Sequence, residues 1–236
     1  MFSQKNAENA DGAEKGKRSG KIFANILFFS LAASVVFSLV RLILAPAVAP
    51  EGVEIKVKSD YTLMLIQCVM GLAVMLVPTF ISHKWNVQIP NFIYILYYIF
   101  LYCAVFLGEV FEFYYVIPHW DTILHAFSGA MLGALGFILV TMLNDAEKVR
   151  VSLSPVFVCL FAFCFALAAG AVWEIYEYSF DGLLGLNMQK FALENGEQLV
   201  GRAALRDTMK DIIVDALAAL GVAVAGYFSI KCKKTA

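Results

Sequence analysis

Residues 153–178 read LSPVFVCLFAFCFALAAGAVWEIYEY. From Pro155 to Trp173 this stretch contains no charged side chain. A helix needs about 20 apolar residues to cross the roughly 30 Å hydrocarbon core of a bilayer. The stretch therefore predicts a transmembrane helix that ends in two carboxylates, Glu174 and Glu177.

Five further apolar runs of similar length accompany this one, at 22–44, 61–81, 91–116, 122–143 and 209–230. Hydrophobic residues make up 61% of the chain and charged residues 16%, and the mean hydropathy is +0.74. Soluble domains have a smaller apolar share. We predict an all-α, polytopic bundle of six transmembrane helices over 22–230, between a disordered cytoplasmic tail at 1–21 and a basic cytoplasmic tail at 231–236.

The lysines and arginines of the short loops predict which side of the membrane each loop faces, because basic loops stay on the cytoplasmic side. The N-terminal tail is basic, and the loops on its side contain Lys84, Lys148, Arg150, Lys231, Lys233 and Lys234. The loops on the other side contain mainly Lys56, Lys58, Lys190, Arg202 and Arg206. This distribution predicts that both termini are cytoplasmic, in a multi-pass protein of the inner membrane.

Three segments outside the central spans carry predictions of their own. The sequence APAVA at 45–49 has the small residues of a signal-peptidase site, but the apolar run before it is long, which favours a retained first helix. Cleavage there would leave five spans. Alternating apolar and charged residues at 51–58 predict a short strand on the membrane surface. In the long loop at 179–208 we expect a short interfacial helix.

Ionisable residues repeat at helical spacing in the last three spans. Residues three or four apart share one face of a helix, so each span presents a polar stripe near the outer membrane surface. The stripes consist of Asp121 and His125 on span 4, Glu174 and Glu177 on span 5, and Asp207, Asp211 and Asp215 on span 6. Glu109 and Glu112 lie near the same end of span 3, so the topology predicts that spans 3 to 6 bring their acidic ends to one side.

Small residues continue each stripe into the membrane. Gly129 and Gly133 follow His125, Gly170 lies one turn before Glu174, and Ala219 lies one turn after Asp215. Small residues at this spacing let transmembrane helices approach closely. Spans 4, 5 and 6 are therefore predicted to pack as a triad whose outer end is lined by carboxylates.

Structural explanations account for part of this set. Asp121 and Asp207 stand where spans 4 and 6 begin and could cap free backbone N–H groups. Glu109, Glu112 and Asp181 could be solvated at the membrane surface, and His119 lies in a short loop. The aromatic residues around them predict an interfacial belt; they are Tyr114, Tyr115, Trp120, Trp173, Tyr176 and Tyr178.

The remaining ionisable residues favour a functional polar site over a structural hydrogen-bonded network. Carboxylates crowded inside a membrane must share protons, bind a metal or pair with a base. Carboxylates with one histidine suit Mg²⁺, Mn²⁺ or Ca²⁺, and Zn²⁺ or iron are alternative metals for such a site. The candidate metal ligands are Asp121, His125, Glu174, Glu177, Asp207, Asp211 and Asp215, and the candidate acid/base residues are His125 and Glu177.

Other partners and chemistries are disfavoured. The net charge of −1 argues against a nucleic-acid partner, which would require a basic face. The five cysteines form no C-x-x-C pair, which predicts reduced packing residues rather than a disulfide framework. The expected partners are membrane lipids and a small ion or lipid-linked substrate, and the oligomeric state stays open.

Three short motifs carry a family resemblance. They are HWDTILH at 119–125, WEIYEY at 173–178 and DTMKD at 207–211 with Asp215 and Gly221. Over roughly residues 90–228 the chain resembles the YjdF-like bacterial inner-membrane proteins, a family without a settled activity, and more loosely the VanZ-like membrane proteins. The resemblance implies an inner-membrane location and a role for the charged motifs as a unit.

Three functions remain open from the sequence. The first is a divalent-metal site that acts on a lipid or envelope-linked substrate. The second is a cation- or proton-coupled transporter, although spans 1–3 lack the charges that an inverted repeat of spans 4–6 would carry. The third is a structural or assembly protein whose polar cluster only fixes helix packing.

Overall fold

The computed structural model describes residues 2–48, 50, 55–144, 153–185, 187–193 and 197–235. Within those residues the chain is helical, apart from loops and one isolated antiparallel bridge between Ala192 and Gln198. The helices are α1 (Phe2–Leu44), α2 (Lys58–Val74), α3 (Val77–Trp85), α4 (Asn91–Leu101), a π-helix (Tyr102–Val110), α5 (Phe113–Val116), α6 (Trp120–Asn144), α7 (Pro155–Leu184) and α8 (Arg206–Thr235). The all-α prediction is confirmed.

Six helical segments are long and apolar enough to cross a membrane. They are Arg18–Leu44, Lys58–Lys84, Asn91–Val110, Trp120–Met142, Pro155–Leu184 and Arg206–Cys232. The second is interrupted between α2 and α3, because Pro78 supplies no backbone N–H in the first turn of α3. The chain is thus a multi-pass membrane protein, as its apolar runs predict.

Several segments differ from the sequence predictions. Span 3 ends at Val110 rather than at 116, since Glu112 adopts a left-handed backbone (φ 61°) between the π-helix and α5. Residues 2–21, predicted as a disordered tail, continue α1. Of the strand predicted at 51–58, residues 51–54 lie outside the described residues; 55–57 form no strand and α2 begins at Lys58.

The prediction of an interfacial helix in the long loop is wrong for the described residues. Helix α7 extends to Leu184, and the described parts of the remaining loop form turns and the isolated bridge. Gly185, with φ 67°, ends α7 because glycine adopts a left-handed backbone without steric cost. The loop then returns to α7, where Asp181 accepts hydrogen bonds from the backbone N–H groups of Met188 and Gln189.

The chain divides into two compact units, Met1–Trp120 and Asp121–Ala236. In the first unit, α1 and α2 run antiparallel, with Leu31 of α1 against Gly71 of α2; a Cβ on Gly71 would lie 3.0 Å from the Leu31 side chain. Arg41 donates from Nε to Tyr61 Oη at 3.0 Å. Glu112 pairs with Lys56 at 2.8 Å, so it is not simply a solvated carboxylate.

The second unit contains α6, α7 and α8, which approach closely where the sequence has small residues. A Cβ on Gly133 would lie 3.4 Å from the Cα of Ala219, and one on Gly136 would lie 3.1 Å from the Cα of Ala162. The side chains of Ala219 and Ala162 are fully buried. The predicted close packing of spans 4, 5 and 6 is confirmed, and it is this packing that positions the polar residues.

Candidate functional site

Asp215 is the buried centre of the polar cluster. It lies on α8, two turns into the span after Asp207, and only 2% of the residue is exposed. Glycines of both neighbouring helices make room for it. A Cβ on Gly129 of α6 would lie 2.8 Å from the backbone oxygen of Asp215, and one on Gly170 of α7 would meet its carboxylate, 3.1 Å from Cγ. The small residues therefore let one carboxylate from α8 contact both helices.

His125 of α6 is oriented by that carboxylate. Its Nδ1 lies 3.2 Å from Asp215 Oδ2, and both residues are buried. An ionised carboxylate only accepts hydrogen bonds, which assigns the proton to Nδ1. In the neutral imidazole this leaves the lone pair on Nε2. The arrangement matches the carboxylate–histidine pairs that orient metal-binding imidazoles.

Two carboxylates lie near Nε2 of His125, and a third belongs to the same group of polar side chains. Asp121 Oδ1 lies 3.7 Å and Glu174 Oε1 lies 3.9 Å from Nε2. These distances are too long for hydrogen bonds. Asp121, His125 and Asp211 each offer one ligand atom, and these atoms all lie within 4.8 Å of one another. These oxygen and nitrogen atoms thus lie close together, and the contacts of Nε2 with Asp121 and Glu174 are longer than hydrogen bonds.

Two buried oxygens of the cluster have no hydrogen-bond partner among the residues that the structure describes. They are Asp211 Oδ1 and Glu174 Oε1, and the two residues are only 2% and 5% exposed. The ammonium of Lys210 lies 3.5 Å from Asp211 Oδ1, without hydrogen-bond geometry. A buried carboxylate oxygen without a partner costs free energy, so something else must compensate for it.

Lys190 is the main cation at the cluster, and it comes from the loop after α7. Its Nζ lies 2.5 Å from Asp121 Oδ2 and 3.2 Å from Asp207 Oδ2. Burial acts to lower the pKa of Lys190, but the carboxylates of Asp121 and Asp207 outweigh it and hold that pKa above its ordinary value. Asp121 and Asp207 therefore share one ammonium group, beyond any role as helix caps.

Asp181 is not the solvated carboxylate that the sequence suggested. It is buried in the last turn of α7. Its Oδ1 accepts a hydrogen bond from the backbone N–H of Met188 at 2.7 Å, and its Oδ2 accepts one from Gln189 at 3.0 Å. Asp181 thus fixes the loop to the helix that precedes it, which a helical-spacing argument could not reveal.

The remaining predicted residues take separate positions. Glu177 is buried, but its Oε1 accepts a hydrogen bond from Trp173 Nε1 of the same helix at 2.9 Å. Glu109 and Glu112 belong to the first unit. Lys210 lies 3.5 Å from both Asp207 and Asp211, because its long side chain reaches back along α8.

Negative charge exceeds positive charge in this region. In the described part of the second unit, the ammonium groups that pair with the carboxylates belong to Lys190 and Lys210. The carboxyl groups at and beside the cluster are those of Asp121, Glu174, Glu177, Asp181, Asp207, Asp211 and Asp215. Protons, including one that charges His125, or a bound cation can make up the difference.

The comparisons with known proteins agree with a membrane protein. Residues 38–231 match the model of a family described as "Predicted membrane protein (DUF2238)". The matched region includes every residue of the cluster. No curated protein and no solved structure matches the chain. Because the family model matches well over half of the chain, this protein belongs to the family of predicted membrane proteins DUF2238.

Proposed function

We propose that the cluster around His125 binds one divalent cation, which serves a site acting on a lipid or envelope-linked substrate. The observation that carries this proposal is a pair of buried oxygens that accept no hydrogen bond from any described residue, Asp211 Oδ1 and Glu174 Oε1. The second of them lies 3.9 Å from Nε2 of His125, whose Nδ1 contacts Asp215.

The spacing of the polar atoms supports a shared ion. Ligand atoms bound to one cation at about 2.0–2.4 Å lie roughly 3 to 4 Å apart when they are neighbours in the coordination sphere. The Nε2 distances to Asp121 and Glu174, 3.7 and 3.9 Å, fall in that range. One nitrogen and up to three carboxylate oxygens suit Mn²⁺, Mg²⁺, Ca²⁺ or Zn²⁺. Such a cation would polarise a phosphoryl or carbonyl oxygen of the substrate.

Of the seven candidate ligands, four now take the ligand role in this proposal: Asp121, His125, Glu174 and Asp211. Asp215 takes the role of orienting His125. Glu177 stays the acid/base candidate, since its carboxylate lies one turn from Glu174 on the same helix. His125 would bind the cation and transfer protons through the same nitrogen, Nε2. As a metal ligand it is therefore no longer an acid/base residue.

We infer the side of the membrane from charge placement. Lys190 and Lys210 are 42% and 40% exposed, whereas Asp211 and Asp215 are buried, so the cluster opens toward the loop after α7. With both termini in the cytoplasm, as the basic loops favour, this loop faces the periplasmic side of a bacterial inner membrane, at the level of the lipid headgroups. The resemblance to the YjdF-like and VanZ-like membrane proteins is also part of this proposal, because it implies an inner-membrane location.

Elemental analysis of the purified protein tests the proposal directly. We expect about one divalent metal ion per chain after mild purification without chelator. The double variant Asp211→Asn/Glu174→Gln should lose it, because each amide replaces an anionic oxygen ligand. Glu112→Gln is the matched control, since Glu112 pairs with Lys56 in the other unit, and it should retain the metal.

Two other results would overturn the proposal. Metal-free wild-type protein that also binds no added Mn²⁺ would favour a structural network instead. Cation flux into proteoliposomes that Asp215→Asn abolishes would favour a transporter, because carboxylates inside a membrane are typical of ion pathways.

A further inference from the structure

The loop after α7 is a hydrogen-bonded hairpin in its described residues. Leu199 donates its backbone N–H to the oxygen of Phe191 at 2.8 Å, and Leu193 donates to Glu197 at 2.9 Å. The side chain of Asn187 closes the first arm, since it donates to the oxygen of Ala192 at 2.7 Å and accepts from its N–H at 3.0 Å. The segment that holds Gln189 and Lys190 therefore has a defined backbone.

This hairpin is fixed to α7 by a buried carboxylate. Asp181 accepts the backbone N–H groups of two successive residues, Met188 and Gln189. Hydrogen bonds to an ionised acceptor are stronger than neutral ones. The bonds place the next side chains, those of Gln189 and Lys190, against the polar cluster.

The two side chains reach the outer oxygens of two candidate ligands. Gln189 Nε2 lies 3.5 Å from Glu174 Oε2 and 3.0 Å from Thr208 Oγ1. Lys190 Nζ lies 2.5 Å from Asp121 Oδ2. The opposite oxygens of the same carboxylates, Glu174 Oε1 and Asp121 Oδ1, are the ones near His125 Nε2. The hairpin thus contacts each carboxylate on the side away from the histidine.

The backbone of Lys190 shows that this placement has a cost. Its φ is 49°, in the left-handed region. A non-glycine residue there is uncommon and costs about 1 kcal/mol or more. Glycine would relieve the cost but would remove the ammonium group that Asp121 and Asp207 share. The ammonium group at position 190 is thus present together with an unfavourable backbone conformation.

We propose that Gln189 is a positioning residue of the candidate cation site, and that Lys190 is its built-in counter-charge. Gln189 turns Glu174 so that Oε1 faces His125, and Lys190 holds Asp121 and Asp207 together until a cation binds. This inference rests on the proposed function. By this inference, a loop segment outside the membrane spans is part of the site, although the segment contributes no candidate ligand.

Groups that orient metal ligands without touching the metal typically change metal affinity by about 10- to 100-fold. Gln189 holds Glu174 through long hydrogen bonds, at 3.4 Å to the backbone oxygen and 3.5 Å to Oε2. The lower end of that range is therefore expected for its removal. A purely structural role would instead lower stability and leave the affinity of the folded protein unchanged.

The test compares Gln189→Leu with Gln198→Leu, an exposed glutamine on the same hairpin. Chelator-treated protein is titrated with Mn²⁺, and free Mn²⁺ is measured by electron paramagnetic resonance. We expect the Kd to rise roughly tenfold in Gln189→Leu and to stay at the wild-type value in Gln198→Leu. Thermal denaturation without Mn²⁺ records any loss of stability separately, and the Kd is measured at a temperature at which both variants are folded.

A second variant covers the case in which Gln189→Leu fails to fold. Asp181→Asn weakens the anchor of the hairpin without touching a candidate ligand, and it should raise the Kd in the same direction. If wild-type protein binds Mn²⁺ and these variants bind it equally well, the inference about the hairpin is overturned while the proposed function stands. If wild-type protein binds no Mn²⁺, the proposed function itself fails.

Discussion

His125 of α6 and Asp215 of α8 form the contact through which the candidate site depends on helix packing. Nδ1 of the histidine lies 3.2 Å from Oδ2 of the aspartate, across 90 residues of sequence. At about 12 Å of helix beyond Asp207, Asp215 lies well inside the span. An ionised aspartate at such a depth costs about 2.5–3.5 kcal/mol on insertion scales, which its contact with His125 offsets in part.

Replacing Asp215 by asparagine should weaken cation binding. The amide oxygen can still accept the Nδ1 hydrogen, but the negative charge that makes the imidazole a better ligand is lost. We expect the Kd for Mn²⁺ to rise by about 10- to 100-fold. The measurement is a Mn²⁺ titration of chelator-treated protein in detergent.

Ser128→Ala provides the control for that variant. Ser128 Oγ lies 3.5 Å from the other carboxylate oxygen of Asp215 and 3.0 Å from the backbone oxygen of His125. A hydroxyl has one hydrogen to donate, and the shorter bond to the backbone oxygen of His125 uses it, so the loss of Ser128 Oγ should leave the Kd within about twofold. Equal effects of Ser128→Ala and Asp215→Asn would contradict an orienting role for the carboxylate.

Gly129→Ala should destabilise the second unit. The added methyl group would lie 2.8 Å from the backbone oxygen and 2.9 Å from the Cα of Asp215. Backbone atoms cannot move aside as a flexible side chain can, so α6 and α8 must separate. Overpacking of this kind costs about 1–3 kcal/mol, which a lower midpoint of thermal denaturation would reveal.

Gly221→Ala is the matched control for the glycine prediction. A Cβ on Gly221 of α8 would have no atom of the described residues within 4 Å. Alanine stabilises a helix interior by up to about 1 kcal/mol relative to glycine, so the midpoint should stay constant or rise. A loss of stability as large as that of Gly129→Ala would show that the Gly129 effect does not come from its contact with Asp215.

The sequence predicted the spans and the stripes because both depend on local spacing. An apolar run of membrane length and residues three or four apart on one helix face are visible in the sequence itself. The glycines at 129 and 170 also indicated which helix faces would meet. Hence the grouping of Asp121, His125, Glu174, Asp211 and Asp215 could be proposed before the structure was known.

The contribution of the hairpin could not be predicted in that way. Lys190 and Gln189 lie in a polar loop without helical periodicity, and their contacts depend on how Asp181 turns the chain back. Gly185, where α7 ends, indicates in the sequence only that a loop follows. Asp181 itself appeared to be a surface carboxylate, because a residue near a helix end gives no sign of a loop folding over it.

Lys190→Met should lower the stability of the cation-free protein and raise its affinity for a cation. Without a cation, Asp121 and Asp207 lose their shared ammonium group, and the free energy of unfolding should fall by about 1 kcal/mol, since the pair is partly exposed. Binding of Mn²⁺ should tighten roughly tenfold, because a neighbouring positive charge is removed. Thermal denaturation with and without Mn²⁺ measures both effects. Weaker binding in the variant would contradict the counter-charge role.

The stabilisation from Lys190 should not change between pH 6 and 9. The folded pKa of Lys190 is raised above its ordinary value, which is about 10.4 in the unfolded chain. A raised pKa of a base gives stability that is fully present below the unfolded value and is lost only as pH rises through the folded value. The difference in midpoint between wild type and Lys190→Met should therefore be equal at pH 6, 7.5 and 9.

Adding a divalent cation should stabilise the wild-type protein by mass action. A ligand that binds only the folded state contributes about 2.7 kcal/mol at a concentration 100 times its Kd. The midpoint of thermal denaturation should rise with Mn²⁺ concentration and return to its starting value with excess chelator. Asp211→Asn/Glu174→Gln should show no such rise, because it lacks two of the proposed ligands.

The starting stability of that double variant gives the same experiment a second readout. Asp211 Oδ1 and Glu174 Oε1 are buried and accept no hydrogen bond from the described residues. Crowded carboxylates repel one another when they are ionised in a region of low dielectric, so neutral amides should relieve that repulsion when no cation is present. The double variant should then melt at or above the wild-type temperature in chelator and below it in Mn²⁺. A cluster that only fixes helix packing would instead give a variant that melts lower under both conditions, by the same amount.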